Sequence, residues 1–308
     1  MKLKSIARSI YRSLPLKRFI IHIMRALGFG ILLSDRLKTY LVFEGPFSVP
    51  IAGNSFLIEN GYGRDIESSI FWNGIDAWEG NSLRWWKILA KRSKVIIDVG
   101  ANTGIYSLIA KSINPLADVH AFEPVDRIYS ILNTNIVLNN SAKQAKPIFA
   151  HRIALSDYNG DGQMFDLPVE HMYTASLNKD IHKERGNPTP ACTENVKVQR
   201  LDHFLNSQNY KNLDLIKIDV ESHEPSVLRG LGQLLQRYHP SIIIEIWNND
   251  VGQAVESILA GCKYHYFAIT DSKTEKRDHI RNEFPDLGYL NYLIITESVA
   301  QELGLFNK

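Results

Sequence analysis

Residues 94–104 read KVIIDVGANTG, and no other stretch restricts the fold so tightly. Val95, Ile96 and Ile97 form an uninterrupted β-branched run, the pattern of a strand covered on both faces, and such strands belong to parallel sheets. The run ends on Asp98, and a turn punctuated by Gly100 and Gly104 leads into an apolar-periodic segment, 105–112, that reads as a helix. Gly100 can take backbone angles closed to other residues and lets a ligand approach the main chain. Gly104 permits close packing where the helix starts, and the first amides of that helix form a polar rim faced by the Asp98 carboxylate.

Spacing then selects the ligand. A dinucleotide fingerprint is G-x-G-x-x-G, but here Asn102 stands where a middle glycine would be. An acid just ahead of the turn repels a pyrophosphate and suits the ammonium of an amino-acid moiety, which points to S-adenosylmethionine. Downstream, VHAFEP (119–124) is a second short strand ending on Glu123, placed to accept two hydrogen bonds from a ribose diol. A helix N-terminal acid beside Pro124 is the plainer alternative; the glycine turn upstream favours the ribose role.

The charge is unevenly spread. Residues 1–38 hold nine basic side chains and one acid, a net of +8, which leaves −6 on the rest of a chain whose total is +2. Apolar residues are interleaved with these charges at helical spacing, so the region reads as a basic amphipathic arm. Pro15, His22 and Arg25 interrupt any transmembrane run, and spread charges without a clean cleavage site argue against a signal peptide. Attachment to an anionic membrane and packing on protein both remain open for the arm, while nucleic acid is not an expected partner. Cys192 and Cys262 form neither a disulfide framework nor a zinc pattern, so a reducing, cytoplasmic setting is expected, with the arm on the cytoplasmic membrane face if it binds lipid. Residues 39–93 form an accessory region with strand-like TYLVFEG and NSFLIEN, followed by a stretch holding Trp72, Trp78, Trp85 and Trp86, expected mainly as core.

From Lys94 onward strands and helices alternate. VIIDV, ADVHAF and PIFAHRIAL read as strands and 127–139 as a helix; Asn159-Gly160 and Asp161-Gly162 read as turns. Residues 156–200 break the alternation as a substrate excursion. It resumes with LDLIKIDVESHEP (213–225), whose buried strand delivers Asp219, Glu221, His223 and Glu224 to the carboxyl edge of the sheet, where ligands bind in such folds. Glu224 reads as a helix-start acid. SIIIEIWN ends near Glu245, and YHYFAI and LNYLIIT form a closing antiparallel pair, giving a doubly wound, mostly parallel sheet of about seven strands.

DVGANTG, FEP, ALSD (154–157), KIDVE with LRG behind it, and IIIE together resemble the FkbM family of S-adenosylmethionine-dependent methyltransferases, over roughly residues 51–296. The resemblance implies a class I methyltransferase, Rossmann-like α/β fold in residues 94–308, and methylation of a hydroxyl oxygen on a sugar or polyketide-like acceptor. It implies Asp98, Gly100, Asn102 and Gly104 around the methionine portion and Glu123 on the ribose. It also implies Ser156 and Asp157 near the adenine, and Asp219 with Glu221 facing the transferred methyl and the acceptor. Where the family commonly has a glycine after the acidic pair, this chain has Ser222 and then His223, so a differently shaped turn is expected there.

Methyl transfer asks the protein for alignment and removal of a hydroxyl proton. His223, oriented by Asp219 or Glu221, is the first candidate base and His171 the second. Asp219 and Glu245 do not complete a ligand set, so no metal is expected. The acceptor is expected to be a saccharide or lipid-linked saccharide. Two other readings are a catalytically inactive, membrane-associated binding protein and a nicotinamide-dependent oxidoreductase, the latter disfavoured by Asp98 and Asn102.

Overall fold

The computed structural model describes residues 16–38, 41, 43–61, 64–140, 146–166, 175–179, 192–283 and 290–306. The chain divides into two compact units, Met1–Gly80 and Asn81–Lys308. The division falls at the first residue of the helix Gly80–Ala90, so Trp85 and Trp86 lie in the larger unit.

In the smaller unit, helix α1 (Lys17–Ala26) precedes an antiparallel hairpin of β1 (Gly45–Ile51) and β2 (Asn54–Asn60). Ala52 and Gly53 link the strands with φ of 45° and 82°, the doubly left-handed geometry of a tight hairpin turn. NSFLIEN forms β2 as read, but its partner starts later than TYLVFEG. Pro46 and Pro50 obscure it in sequence, and a two-stranded ribbon tolerates them because each strand has an open edge. Helix α2 (Asp65–Asn73) adds Phe71 and Trp72 to a buried aromatic cluster with Phe43 and Phe47.

The larger unit opens with α3 (Gly80–Ala90), whose Trp86 indole N–H donates to the Tyr106 carbonyl at 2.9 Å. There follow β3 (Val95–Val99), α4 (Ile105–Ile113), β4 (Asp118–Phe122), α5 (Asp126–Asn139) and β5 (Ile148–His151). Next come β6 (Ala154–Ser156), β7 (Gly160–Asp166), β8 (Cys192–Arg200) and α6 (Leu201–Ser207). The chain continues through β9 (Leu215–Ile218), α7 (Glu224–Leu231), β10 (Ser241–Ile246) and α8 (Asn249–Leu259), then β11 (Tyr264–Ile269), β12 (Thr274–Arg277) and β13 (Leu290–Thr296).

The main sheet runs β12-β11-β13-β10-β9-β3-β4-β5. Strands β5 to β10 in that order are parallel, and β13 runs antiparallel between β10 and β11. Every residue of β3, β9 and β10 is buried, as apolar runs covered by helices on both faces must be. The described sheet has eight strands, where seven were expected: the polar loop after β11 folds back as the edge strand β12.

PIFAHRIAL is not one strand. It breaks at Arg152 and Ile153, and β6 leaves the main sheet for a second one, ordered β6-β8-β7. Asp161-Gly162 is likewise no turn but part of β7, with Gly162 opposite Val196; a Cβ at Gly162 would stand 2.6 Å from a Val198 methyl. Both ends of the 156–200 excursion are thus strands, while residues 167–174 and 180–191 lie outside the described ones. No described helix is long and apolar enough to cross a membrane.

Candidate active site

The carboxyl ends of β3, β4 and β9 lie side by side in the parallel sheet, the edge at which such folds bind ligands. After β3 the backbone is left-handed at every second residue, with φ of 74°, 53° and 92° at Gly100, Asn102 and Gly104. The amides of Gly100 and Ala101 both donate to the Phe122 carbonyl at the end of β4, at 3.0 and 2.9 Å. Gly104 is needed for packing as expected, because a Cβ there would stand 2.6 Å from the Leu132 Cδ1 of α5. Gly100 also meets a packing need that the sequence did not show. A Cβ at Gly100 would collide with the carbonyl oxygen of Asp219, so its bare backbone lets the turn lie directly against the loop after β9.

Asp98 is fully buried. Its Oδ2 accepts a hydrogen bond from Ser107 Oγ at 2.7 Å, and its Oδ1 has no partner. Burial raises its carboxyl above the ordinary range, while nearby Lys217 and the Ser107 hydrogen bond pull the other way. Glu123 Oε2 accepts from the Asn102 amide at 3.1 Å and Oε1 from the Val125 amide at 3.0 Å. Those two bonds fix the carboxylate at the end of β4.

Lys217 was not singled out in sequence as a site residue. It is a cation inside LIKI, with a side chain only 4% exposed, and its Nζ is 2.6 Å from Asp219 Oδ2 and 4.6 Å from the Tyr106 ring centroid. The signal was there, since a lysine in a strand buried on both faces needs an anionic partner. Beyond Asp219, Glu221 and Ser222 are both left-handed, with φ of 57° and 70°. Ser222 thus takes the left-handed conformation that a glycine adopts more readily. Two ties hold this loop: Ser176 Oγ donates to the Glu221 carbonyl at 2.7 Å, and the Val220 amide donates to Glu224 Oε1 at 3.1 Å. Glu224 is fully buried, and burial pushes its carboxyl up to about 8, with Asp219 and Glu221 adding to the rise.

The His223 ring meets a partner other than those the sequence reading gave it. Its Nε2 lies 2.9 Å from Ser156 Oγ, so its recorded partner is Ser156 and not Asp219 or Glu221. Burial pushes its pKa down to about 4, with Asp157 opposing and Arg229 reinforcing the fall. Asp157 pairs with Arg229 at 2.9 Å; burial works to raise its carboxyl, but the Arg229 interactions outweigh this and hold it below the usual range. Ser156, Asp157 and His223 therefore form one group at the end of β6. His171 lies outside the described residues. Glu245 Oε2 accepts from the Trp247 indole N–H at 2.7 Å, and among the described residues no group of three or more His, Cys, Asp or Glu is placed to hold a metal ion.

A family model described as the methyltransferase FkbM domain matches residues 98–290, more than half of the chain. The chain belongs to the FkbM methyltransferase family. It is 27% identical to methyltransferase sdnD of Sordaria araneosa over 53% of this chain and 71% of that one. It is 26% identical to the 31-O-demethyl-FK506 methyltransferase FkbM of Streptomyces tacrolimicus, over 57% and 73%. With the hexuronic acid methyltransferase AglP of Haloferax volcanii it shares 27% identity, over 56% of this chain and 64% of that one.

Membership makes this FkbM-family protein an S-adenosylmethionine-dependent methyltransferase with the class I α/β fold. The residues present fit that cofactor. The turn after β3 offers bare backbone and two buried oxygens without partners, Asp98 Oδ1 and Asn102 Oδ1, and Glu123 stands fixed one strand away.

Proposed function

We propose that this FkbM-family methyltransferase acts on a hydroxyl oxygen of a saccharide, free or lipid-linked, at the cytoplasmic face of an anionic membrane. The observation that carries the reading is the contact of the Gly100 turn with the Asp219 backbone, which joins the acid loop to the donor-binding turn. An oxygen acceptor is supported by the relative whose name specifies a 31-O-demethyl substrate, and a sugar by the one named for hexuronic acid. The membrane setting is supported by the +8 charge of residues 1–38.

When bound, the cofactor supplies a sulfonium-activated methyl that needs only an aligned nucleophile. Asp98 and Asn102 would hold its amino-acid end, Glu123 its ribose diol, and Ser156 with Asp157 would flank the adenine. Asp219 accepts the proton of the acceptor hydroxyl, with Glu221 beside it to bind the acceptor. We assign the proton to Asp219 ahead of His223 because the His223 ring is engaged by Ser156, whereas the Asp219 backbone lies directly against the Gly100 turn.

The first test is calorimetric titration with S-adenosylhomocysteine. Asp98→Ala and Glu123→Ala each weaken binding about tenfold or more, as loss of charge-assisted hydrogen bonds does; unchanged affinity in both removes the site assignment. The second follows labelled methyl from S-adenosylmethionine into cell-envelope saccharides. Label recovered as O-methyl sugar after hydrolysis supports the reading, and label confined to nitrogen or to protein overturns it.

A further inference from the structure

Helix α1 is amphipathic, but its charged face is the one turned to the protein. Ile21 is 1% exposed, and the His22 ring centroid lies 5.0 Å from that of Phe43 and 5.2 Å from that of Phe71. The Arg25 guanidinium lies 4.7 Å from the Phe71 ring centroid and donates to the Ser48 carbonyl at 3.3 Å, while Arg18 donates to the Pro46 carbonyl at 2.6 Å. Two arginines that the sequence offered to lipid are therefore spent on docking the helix to its own hairpin.

The opposite face is apolar and exposed. Leu16, Phe19, Ile20, Ile23 and Leu27 recur three or four residues apart, which sets them in one stripe, with Phe19 63% and Leu27 68% exposed. Phe29, Leu32 and Leu37 extend the exposed set just beyond the helix. Of thirteen exposed large hydrophobic residues in the described chain, eight fall between positions 16 and 37. A concentration of this kind marks an interaction surface, whereas the other five are scattered along the chain, as isolated apolar residues on any surface are.

We infer that this stripe is the surface by which the protein enters an anionic lipid bilayer, with the helix lying in the interface plane. The charge of the region selects that partner. Lys2, Lys4, Arg8 and Arg12 precede the helix with no acid among them, and residues 1–38 sum to +8. Two copies of so basic a segment repel one another, whereas anionic headgroups attract it while the apolar stripe enters the acyl boundary. The inference deepens the membrane part of the proposed function and rests on it.

The test is co-sedimentation of the full chain with vesicles of phosphatidylcholine, with and without phosphatidylglycerol. The wild type binds the anionic vesicles, and Phe19→Glu/Ile23→Glu weakens that binding about tenfold or more. Melting temperature and S-adenosylhomocysteine affinity stay unchanged, because both side chains are exposed and remote in sequence from the cofactor residues. Phe19→Ser/Ile23→Ser gives a smaller loss in the same direction. If the Glu variant binds as the wild type does while Gln at positions 2, 4, 8 and 12 abolishes binding, the arm attaches by charge alone and the stripe is not the docking face. If the wild type ignores anionic vesicles, the membrane reading itself fails; elution as a dimer that the Glu variant splits then assigns the stripe to a second copy.

Discussion

The turn at 100–104 and the loop at 219–224 lie back to back at the sheet edge, and both require left-handed backbone. The turn obtains it mainly from glycine, with φ of 74° at Gly100 and 92° at Gly104; the loop imposes it on Glu221 and Ser222, at 57° and 70°. Glycine adopts such angles without steric cost, whereas two consecutive side-chain-bearing residues must be held there. The holding groups come from outside the strained pair: the Ser176 hydroxyl, the buried Glu224 carboxyl, and Lys217 on the preceding Asp219. A binding turn can thus be built from local residue choice, while its neighbour is built from tertiary ties. Strain held in this way is characteristic of functional sites.

Substitutions can break that contrast, beginning at the contact between the two. Gly100→Ala puts a methyl where the Asp219 carbonyl stands and forces a left-handed alanine. It is expected to lower stability by more than about 3 kcal/mol, with S-adenosylhomocysteine binding lost; denaturant unfolding and calorimetry check this. Lys217→Met removes the cation from Asp219 and from the neighbourhood of Asp98. Asp219 keeps 28% of its side-chain surface exposed, so the loss is expected at about 2 kcal/mol, below the value for a fully buried pair. Lys217→Arg should recover part of it.

Glu224→Gln tests the loop through pH. The folded carboxyl holds its proton up to about 8 and the ordinary one only to 4.5. Between those values the unfolded chain binds fewer protons, so this group makes stability fall as pH rises. The variant removes that dependence, and at pH 8 it should be roughly 3–4 kcal/mol more stable relative to wild type than at pH 5. Melting curves across that range decide it, and equal shifts at both ends would show that Glu224 is ionised throughout. The smallest effect is Ser222→Gly, expected to gain about 1 kcal/mol by relieving the left-handed serine. A loss instead would mean that the buried Ser222 hydroxyl contributes more to packing than its backbone costs.

Legibility in the sequence followed the same division. VIIDV, the helix after it and the helix at 126–139 were readable because buried parallel strands and amphipathic helices leave periodic patterns. The split of PIFAHRIAL was not, since Arg152 and Ile153 carry no turn signal and only the second sheet pulls β6 away. Gly162 looked like a turn residue and is a strand residue chosen for its lack of a side chain beside Val198. At the site, Asp98, Asn102, Gly104 and Glu123 stood out by type and spacing. His223 was placed correctly on the loop but wrongly paired, because its partner Ser156 is 67 residues away in sequence.

By itself the sequence determined the parallel sheet, the glycine turn with its acid, the family and the charge asymmetry of the first 38 residues. Each of these depends on the residue types within a short stretch. Only the tertiary structure decided that Gly100 is bare to admit the Asp219 backbone, that Lys217 pairs with Asp219, and that α1 ties Arg18 and Arg25 to its hairpin and leaves its apolar stripe exposed. Which face of a helix is covered, and which buried charge meets another, depends on distant segments that happen to be adjacent in space. Local pattern carries no record of that adjacency.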